Sequence, residues 1–227
     1  MLAVAGMLLF VALAVLPALW VKAVLARHST ERRDFPGTGG EFARHVLDGM
    51  GLTHVKVEET AEGDHYDPGA KAIWLDAKRF HGRSLTAVVV AAHEVGHAMQ
   101  DATNSPLMRT ATKIGKAART IEAIGGIAIL LAPVMAILLR HPVGFLLELA
   151  GGLAILSISV VLRLVTLPEE FDASFSRALP LLRHGRYIRD ADLPAARHIL
   201  RAAAFTYVAG ALMSMINIMR WLRVLRF

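Results

Sequence analysis

The sequence predicts a mostly α-helical integral membrane protein, with about four transmembrane helices and one small polar α+β portion. Three observations carry this. Of the 227 residues, 55% are hydrophobic and the mean hydropathy is +0.47, too apolar for a soluble domain of this size. The charged residues, 19% of the chain, are gathered between apolar runs rather than mixed through them. Those runs approach the roughly 20 residues a helix needs to cross the hydrocarbon core.

Leu2 to Val21 is apolar, broken only by Pro17, and Lys22 and Arg27 follow it. No basic stretch precedes this run and it is too long for a signal-peptide core, so residues 1–26 are expected to be an anchor. Residues 27–120 form the main polar part. Within it, Thr38-Gly-Gly-Glu41 has capping-box spacing and opens a helix through Met50, with Gly51 just past its end. Thr53 to Glu59 alternates polar and apolar, and Lys71 to Leu75 is a second strand candidate. A small antiparallel pair is expected, which either presents an edge to an extended peptide or merely packs on the helix that follows. Ser84 is a plausible N-cap for the next helix. Leu85 to Ala92 carries one polar side chain, Thr86, so that helix must be buried nearly all round. Ser105-Pro106 restarts a helix, with proline where its missing N–H costs least, and this helix carries Arg109, Lys113, Lys116 and Arg119.

Ile121 to Leu139 and Val143 to Val165 are the second and third span candidates. Only Arg140-His-Pro142 separates them, so residues 121–166 should form a helical hairpin. Residues 167–193 return to the polar side, where Pro168 opens a helix from Glu169 to about Leu179. Residues 194–227 hold the last helix, whose apolar portion, Ala202 to Met219, is the fourth span candidate.

Orientation follows from the basic residues, which favour the cytoplasmic side. Fourteen of the 25 Lys and Arg lie between Lys22 and Arg119, and seven between Arg163 and Arg201. The connection between spans two and three has only Arg140. Arg220, Arg223 and Arg226 at the tail oppose this assignment, but the larger count places residues 22–120 and 163–201 inside. The net charge of +6 comes with no nucleic-acid motif, so no nucleic-acid partner is expected. The absence of cysteine excludes disulfides, thiolate metal ligands and a cysteine nucleophile.

The chemistry-bearing stretch is His93-Glu94-Val95-Gly96-His97, in the middle of the helix opened by Ser84. Residues four apart share a helix face, so His93 and His97 project together and can bind one zinc ion. Glu94 lies beside the metal's open position, where it can take a proton from water. The pattern points to metal-assisted hydrolysis, most often of peptide bonds. A catalytic zinc needs a third protein ligand. Leu167-Pro-Glu169-Glu170-Phe-Asp172-Ala-Ser174 returns the chain to the same side with two carboxylates in a first helical turn. Spacing alone does not separate Glu169 from Glu170, and acidic residues are also favoured there by the helix dipole.

Ala91-Ala-His93-Glu-Val-Gly-His97-Ala-Met-Gln100 resembles the core motif of the membrane-anchored neutral zinc metallopeptidases of bacteria. Tyr66-Asp-Pro68 and Leu164-Val-Thr-Leu-Pro168-Glu-Glu170-Phe-Asp-Ala-Ser174 resemble its other motifs, and Ala202-Ala-Ala-Phe-Thr-Tyr207-Val-Ala its last span. The likeness covers nearly the whole chain, in order. It implies a small cytoplasmic zincin-like portion, one catalytic Zn²⁺, and Glu170 as the third ligand of a gluzincin set. It also implies a multi-pass protein of the bacterial inner membrane whose site faces the cytoplasm, where protein or peptide substrates, membrane proteins among them, would be cut. The layout is similar to that of the heat-shock-induced membrane proteases, in which the position four after the ligand Glu is usually Asp. Here it is Ser174, so the partner of a ligating histidine is Ser174 or Asp172.

Tyr66, Arg177 and Tyr207 are the candidates to stabilise an oxyanion; for Tyr207 an interfacial aromatic is the stronger alternative, and for Arg177 an ion pair with Asp172 or Glu169. Glu148, inside the third span, is a functional suspect because an ionisable group is costly there. His45, His54, His65 and His81 read as surface residues. Gln100, one turn after His97, either bonds near the site or ends its helix. Two other functions compete: a non-catalytic zinc-binding membrane scaffold, which would have no use for Glu94, and an intramembrane site-2-type protease, which would need an Asp that residues 121–165 lack.

Overall fold

The computed structural model describes residues 2–139 and 142–213. In chain order these form helix α1 (Leu2–Arg27), α2 (Gly39–Gly49), strands β1 (Lys56–Thr60), β2 (His65–Asp67) and β3 (Ala72–Asp76), then α3 (Ala77–Phe80), α4 (Leu85–Ala102), α5 (Pro106–Leu139), α6 (Pro142–Val165) and α7 (Leu167–Phe171). A π-helical segment (Asp172–Ala178), α8 (Leu179–His184), a 3-10 turn (Asp190–Asp192) and α9 (Leu193–Ala204) follow, and residues 206–213 are again helical. The described chain is thus mostly helical with a small three-stranded sheet.

Two compact units share the chain. One comprises Trp20–Arg109 with Leu167–Phe205, the other Met1–Leu19, Thr110–Thr166 and Thr206–Phe227. This division puts residues 110–166 in the second unit and 167–205 in the first, with boundaries at 109 and 205. The reason at the second boundary is local: α9 is amphipathic, burying Ala196, Ile199 and Leu200 in the polar unit, and it ends at Phe205 before the next helix begins.

In the first unit, α4 is the central element. Every residue from Leu85 to Ala98 is buried, as is Gln100, so the helix is surrounded as its one-polar-residue pattern requires. Ser84 Oγ accepts from Ala87 N and caps its start. Around it lie α2, the sheet, the π-helical segment and α9, joined in a core that includes Leu47, Ile73, Leu75, Val89, Val95, Leu182 and Ile199. The capping box at α2 forms in both directions, Thr38 with Glu41, and Gly51 takes the left-handed φ of +73° after its C-terminus.

The sheet corrects an expectation. Its order is β1-β3-β2, and β1 pairs with β3 in parallel, from Lys56 opposite Ala72 to Thr60 opposite Asp76. The antiparallel partner of β3 is β2, a three-residue strand inside the stretch read as turn. Asp67 Oδ1 accepts from the Gly69 and Ala70 N–H groups and closes the turn between β2 and β3. With β2 on one side of β3, β1 takes the other side, where it runs parallel to β3. A strand of three residues is too short to show periodicity, which is why it escapes a reading by pattern.

The second unit is apolar outside as well as inside. Leu9, Leu13 and Leu16 of α1, Ile124, Ile127 and Leu130 of α5, and Ile158, Val161 and Leu164 of α6 are all exposed. Such surface is stable against lipid rather than water. Among the described residues one helical run, Ala150–His184, contains a stretch long and apolar enough to cross a membrane. Arg140 and the last third of the expected fourth span, residues 214–219, lie outside the described residues, as does the side chain of Glu148.

Candidate metal centre

The two histidines meet for the reason their spacing suggests: α4 runs unbroken through them, and their rings lie 4.6 Å apart at 81°. The residue between them is as constrained as the histidines. A Cβ on Gly96 would come within 2.5 Å of the Ala173 carbonyl oxygen, so glycine lets the π-helical segment lie directly on α4. That contact brings Glu169, Glu170 and Ser174 to the histidines, although some 75 residues separate the two stretches in sequence.

Three donor atoms converge. His93 Nε2 and His97 Nε2 are 3.2 Å apart, and Glu170 Oε2 lies 3.3 Å from each. All three side chains are buried. The far side of each ring fixes its tautomer. Ser174 Oγ donates to the Leu200 carbonyl and so accepts from His93 Nδ1 at 3.0 Å. Gln100 Nε2 donates to the Glu169 carbonyl and to Asp172 Oδ2. This turns Gln100 Oε1 toward His97 Nδ1 at 3.0 Å, beside Glu169 Oε1 at 2.8 Å. Both Nδ1 atoms therefore carry the proton and both Nε2 atoms are bare. Glu170 Oε2, buried between them, accepts no hydrogen bond.

This arrangement fits zinc. Tetrahedral ligands at bond lengths of about 2.0–2.1 Å stand about 3.3–3.4 Å from one another, which is the spacing of these three atoms. An orphaned buried carboxylate oxygen facing two bare imidazole nitrogens is costly unless a cation joins them. The electrostatics agree. Burial opposes charge on Glu170, but His97, and His93 after it, hold its carboxyl at about 2. Burial likewise acts to lower His97, but Glu169 and Glu170 push it well above the usual imidazole value. The cluster favours positive charge at its centre. Among the described residues, His93, His97 and Glu170 are the group able to hold a metal ion.

Comparison with known proteins covers nearly the whole chain. The model of a family described as "Putative neutral zinc metallopeptidase" matches residues 3–226. The chain belongs to the neutral zinc metallopeptidase family. It is also 34% identical over 206 residues to a Bacillus subtilis (strain 168) protein described as "Putative membrane protease YugP", covering 90% of this chain and 88% of that one. No solved structure matches.

In this family member Glu94 is 4% exposed, one residue along from His93. Burial raises its carboxyl above the usual range; His93 and His97 pull it down, and Asp64 and Glu170 add to the rise. The other candidates are placed as follows. Ser174 bonds His93. Asp172 accepts from Gln100 and from Arg177 Nε at 2.9 Å, so Arg177 forms the ion pair weighed as its alternative. Tyr66 donates to Asp101 at 2.6 Å, in the last turn of α4, and Lys71 joins the same carboxylate. Tyr207 belongs to the other unit, where the Arg163 guanidinium lies 5.7 Å from its ring centre. His65 stacks on Trp74, His81 bonds Glu59, and His45 packs against Tyr187.

Two residues emerge from the structure that spacing did not single out. Glu169 partners His97, a role invisible while it competes with Glu170 as a ligand. Asp64, half-buried, accepts from Asp76 N and meets Arg79 Nε at 2.8 Å; burial raises its carboxyl and Arg79 opposes that. Its signal in the sequence was only an acidic residue in a turn.

Proposed function

We propose that the chain is a membrane-bound, zinc-dependent endopeptidase that cuts protein substrates at the cytoplasmic membrane face. The observation that carries this is the meeting of two bare imidazole nitrogens and an orphaned carboxylate oxygen beside a buried glutamate. His93, His97 and Glu170 would hold one Zn²⁺, which when bound supplies acidification of water and polarisation of a peptide carbonyl. Glu94 takes the proton released as water attacks the scissile carbonyl and delivers it to the leaving amine. Ser174, Glu169 and Gln100 hold the two imidazoles in the tautomer the site requires. The free edge of β2, in the strand beside α4, is suited to align an extended peptide by backbone hydrogen bonds.

Membrane attachment is supported by the exposed apolar faces of α1, α5 and α6 and by the membrane protease relative. In the proposed arrangement residues 1–26, the hairpin 121–166 and the C-terminal helix after 194 make about four crossings, and residues 27–120 and 167–193 lie inside. The distribution of Lys and Arg supports that orientation. The partners are then the lipid bilayer and protein or peptide substrates, membrane proteins included. The test is casein cleavage by the detergent-purified chain. Wild type cleaves and loses activity to a chelator, with recovery on adding zinc; Glu94→Gln keeps its zinc and falls by about 10²–10⁴-fold. Full cleavage by Glu94→Gln would refute the assignment of the base.

A further inference from the structure

Glu169 sits on the opposite side of the His97 ring from the donor triangle. Its Oε1 is 2.8 Å from Nδ1, whereas the ring presents Nε2 to Glu170. It is buried, 7% exposed, and its side chain contacts no guanidinium or ammonium among the described salt bridges. The two histidines are therefore held differently. His93 has a neutral hydroxyl behind it, whose own proton goes to a backbone carbonyl. His97 has a carboxylate and an amide oxygen behind it. The amide is itself locked through Asp172, which the Arg177 guanidinium neutralises.

We infer that Glu169 is a positioning residue that holds His97 with its bare Nε2 toward the metal and strengthens that nitrogen as a donor, while its neighbour Glu170 is the ligand. Adjacent side chains on a helix point about 100° apart, so the two glutamates cannot both reach the donor triangle. They divide the work: Glu170 reaches past both Nε2 atoms, and Glu169 reaches behind one ring. A charged acceptor makes a shorter and stronger hydrogen bond than a neutral one. Electron density pushed onto the imidazole by an Nδ1–H···carboxylate bond raises its basicity as a ligand. Gln100 supplies a second acceptor at 3.0 Å, so tautomer control survives the loss of Glu169 in part, but the charge does not.

This inference rests on the zinc reading above, and its test separates the two. Zinc affinity of the full chain in detergent is measured by chelator competition, and the visible spectrum of the cobalt-loaded chain is recorded in parallel. Glu169→Leu is expected to bind zinc 10- to 100-fold more weakly than wild type, with Glu169→Gln in between, since its amide oxygen still accepts but carries no charge. Both keep the cobalt spectrum of the wild-type ligand set, whereas Glu170→Gln changes it. In peptide cleavage at saturating zinc, kcat falls in Glu169→Leu with KM unchanged. Wild-type zinc affinity in Glu169→Leu would overturn the positioning role alone. An altered cobalt spectrum in Glu169→Gln with an unaltered one in Glu170→Gln would reverse the assignment of ligand and partner. Absence of zinc binding by wild type would overturn this inference and the zinc reading together. Should Glu169→Leu fail to fold, Glu169→Gln, which matches the native shape, decides by the same two readouts.

Discussion

Arg32 joins parts of the polar unit that are far apart in sequence. Its two terminal nitrogens reach both oxygens of Asp192 at 2.9 and 2.8 Å, and Asp34 completes the cluster. Hydrogen bonding to Arg32 holds the Asp34 carboxyl at about 2 and lowers that of Asp192. The sign follows from the depressed values. An unfolded aspartate titrates near about 3.9, so the native state binds these protons less tightly than the unfolded one. The stabilisation is complete above that value and is lost as pH falls toward 2. Asp192→Asn should therefore lower the melting temperature at pH 7, by the equivalent of about 1 kcal/mol for a partly exposed pair. The gap between wild type and variant should close as pH falls toward 2; an equal gap at pH 7 and at pH 2 would show that the charge is not the cause. At this scale the sequence was legible only where partners are close along the chain. His93 and His97 share a helix face by arithmetic. Glu170, 73 positions beyond His97, was separable from Glu169 only through family resemblance. The Arg32–Asp192 pair spans 160 positions and leaves no local trace.

The element that decides the site is the π-helical segment Asp172–Ala178 against α4. One extra residue per turn is rare in helices and concentrates at functional sites. Here it follows directly on the turn that carries Glu169 and Glu170 and places Ala173 and Ser174, both 0% exposed, on the glycine gap of α4. Gly96→Ala puts a methyl group 2.5 Å from the Ala173 oxygen. The segments must separate by several tenths of an ångström, and the expected cost is roughly 1–3 kcal/mol. Zinc affinity should fall more than this stability loss alone suggests, because Glu170 and Ser174 retreat with the segment. Chelator competition alongside thermal melting checks it: a destabilised variant with native zinc affinity would show that the close approach does not set the ligand geometry. Helix α4 was readable beforehand from its apolar run and Ser84 cap, and α2 from its capping box. The π segment was not, because DASFSRA has no composition that distinguishes it from an α-helix. Neither was the parallel pairing of β1 with β3, which depends on where the three-residue β2 lies.

Across the whole molecule, the chain leaves the polar unit at Arg109, passes through the apolar residues 110–166 and re-enters at Leu167. Within three residues of re-entry it delivers Glu170. The metal centre is thus assembled from two segments that residues 110–166 of the other unit separate in sequence, and its completeness reports that both have come together. The mostly helical make-up with one small sheet was legible at this scale, since the balance of helix and strand is a sum over many residues and tolerates local error. The account's central claim is that His93, His97 and Glu170 hold one zinc ion. X-ray absorption at the zinc edge, on the zinc-loaded chain in detergent and on Glu170→Ala, tests it most directly. The account predicts one four-coordinate zinc with ligands at about 2.0–2.1 Å, two of them imidazoles, and a changed spectrum with weaker binding in Glu170→Ala. Fewer than two imidazoles, or a Glu170→Ala spectrum and affinity identical to wild type, would contradict it.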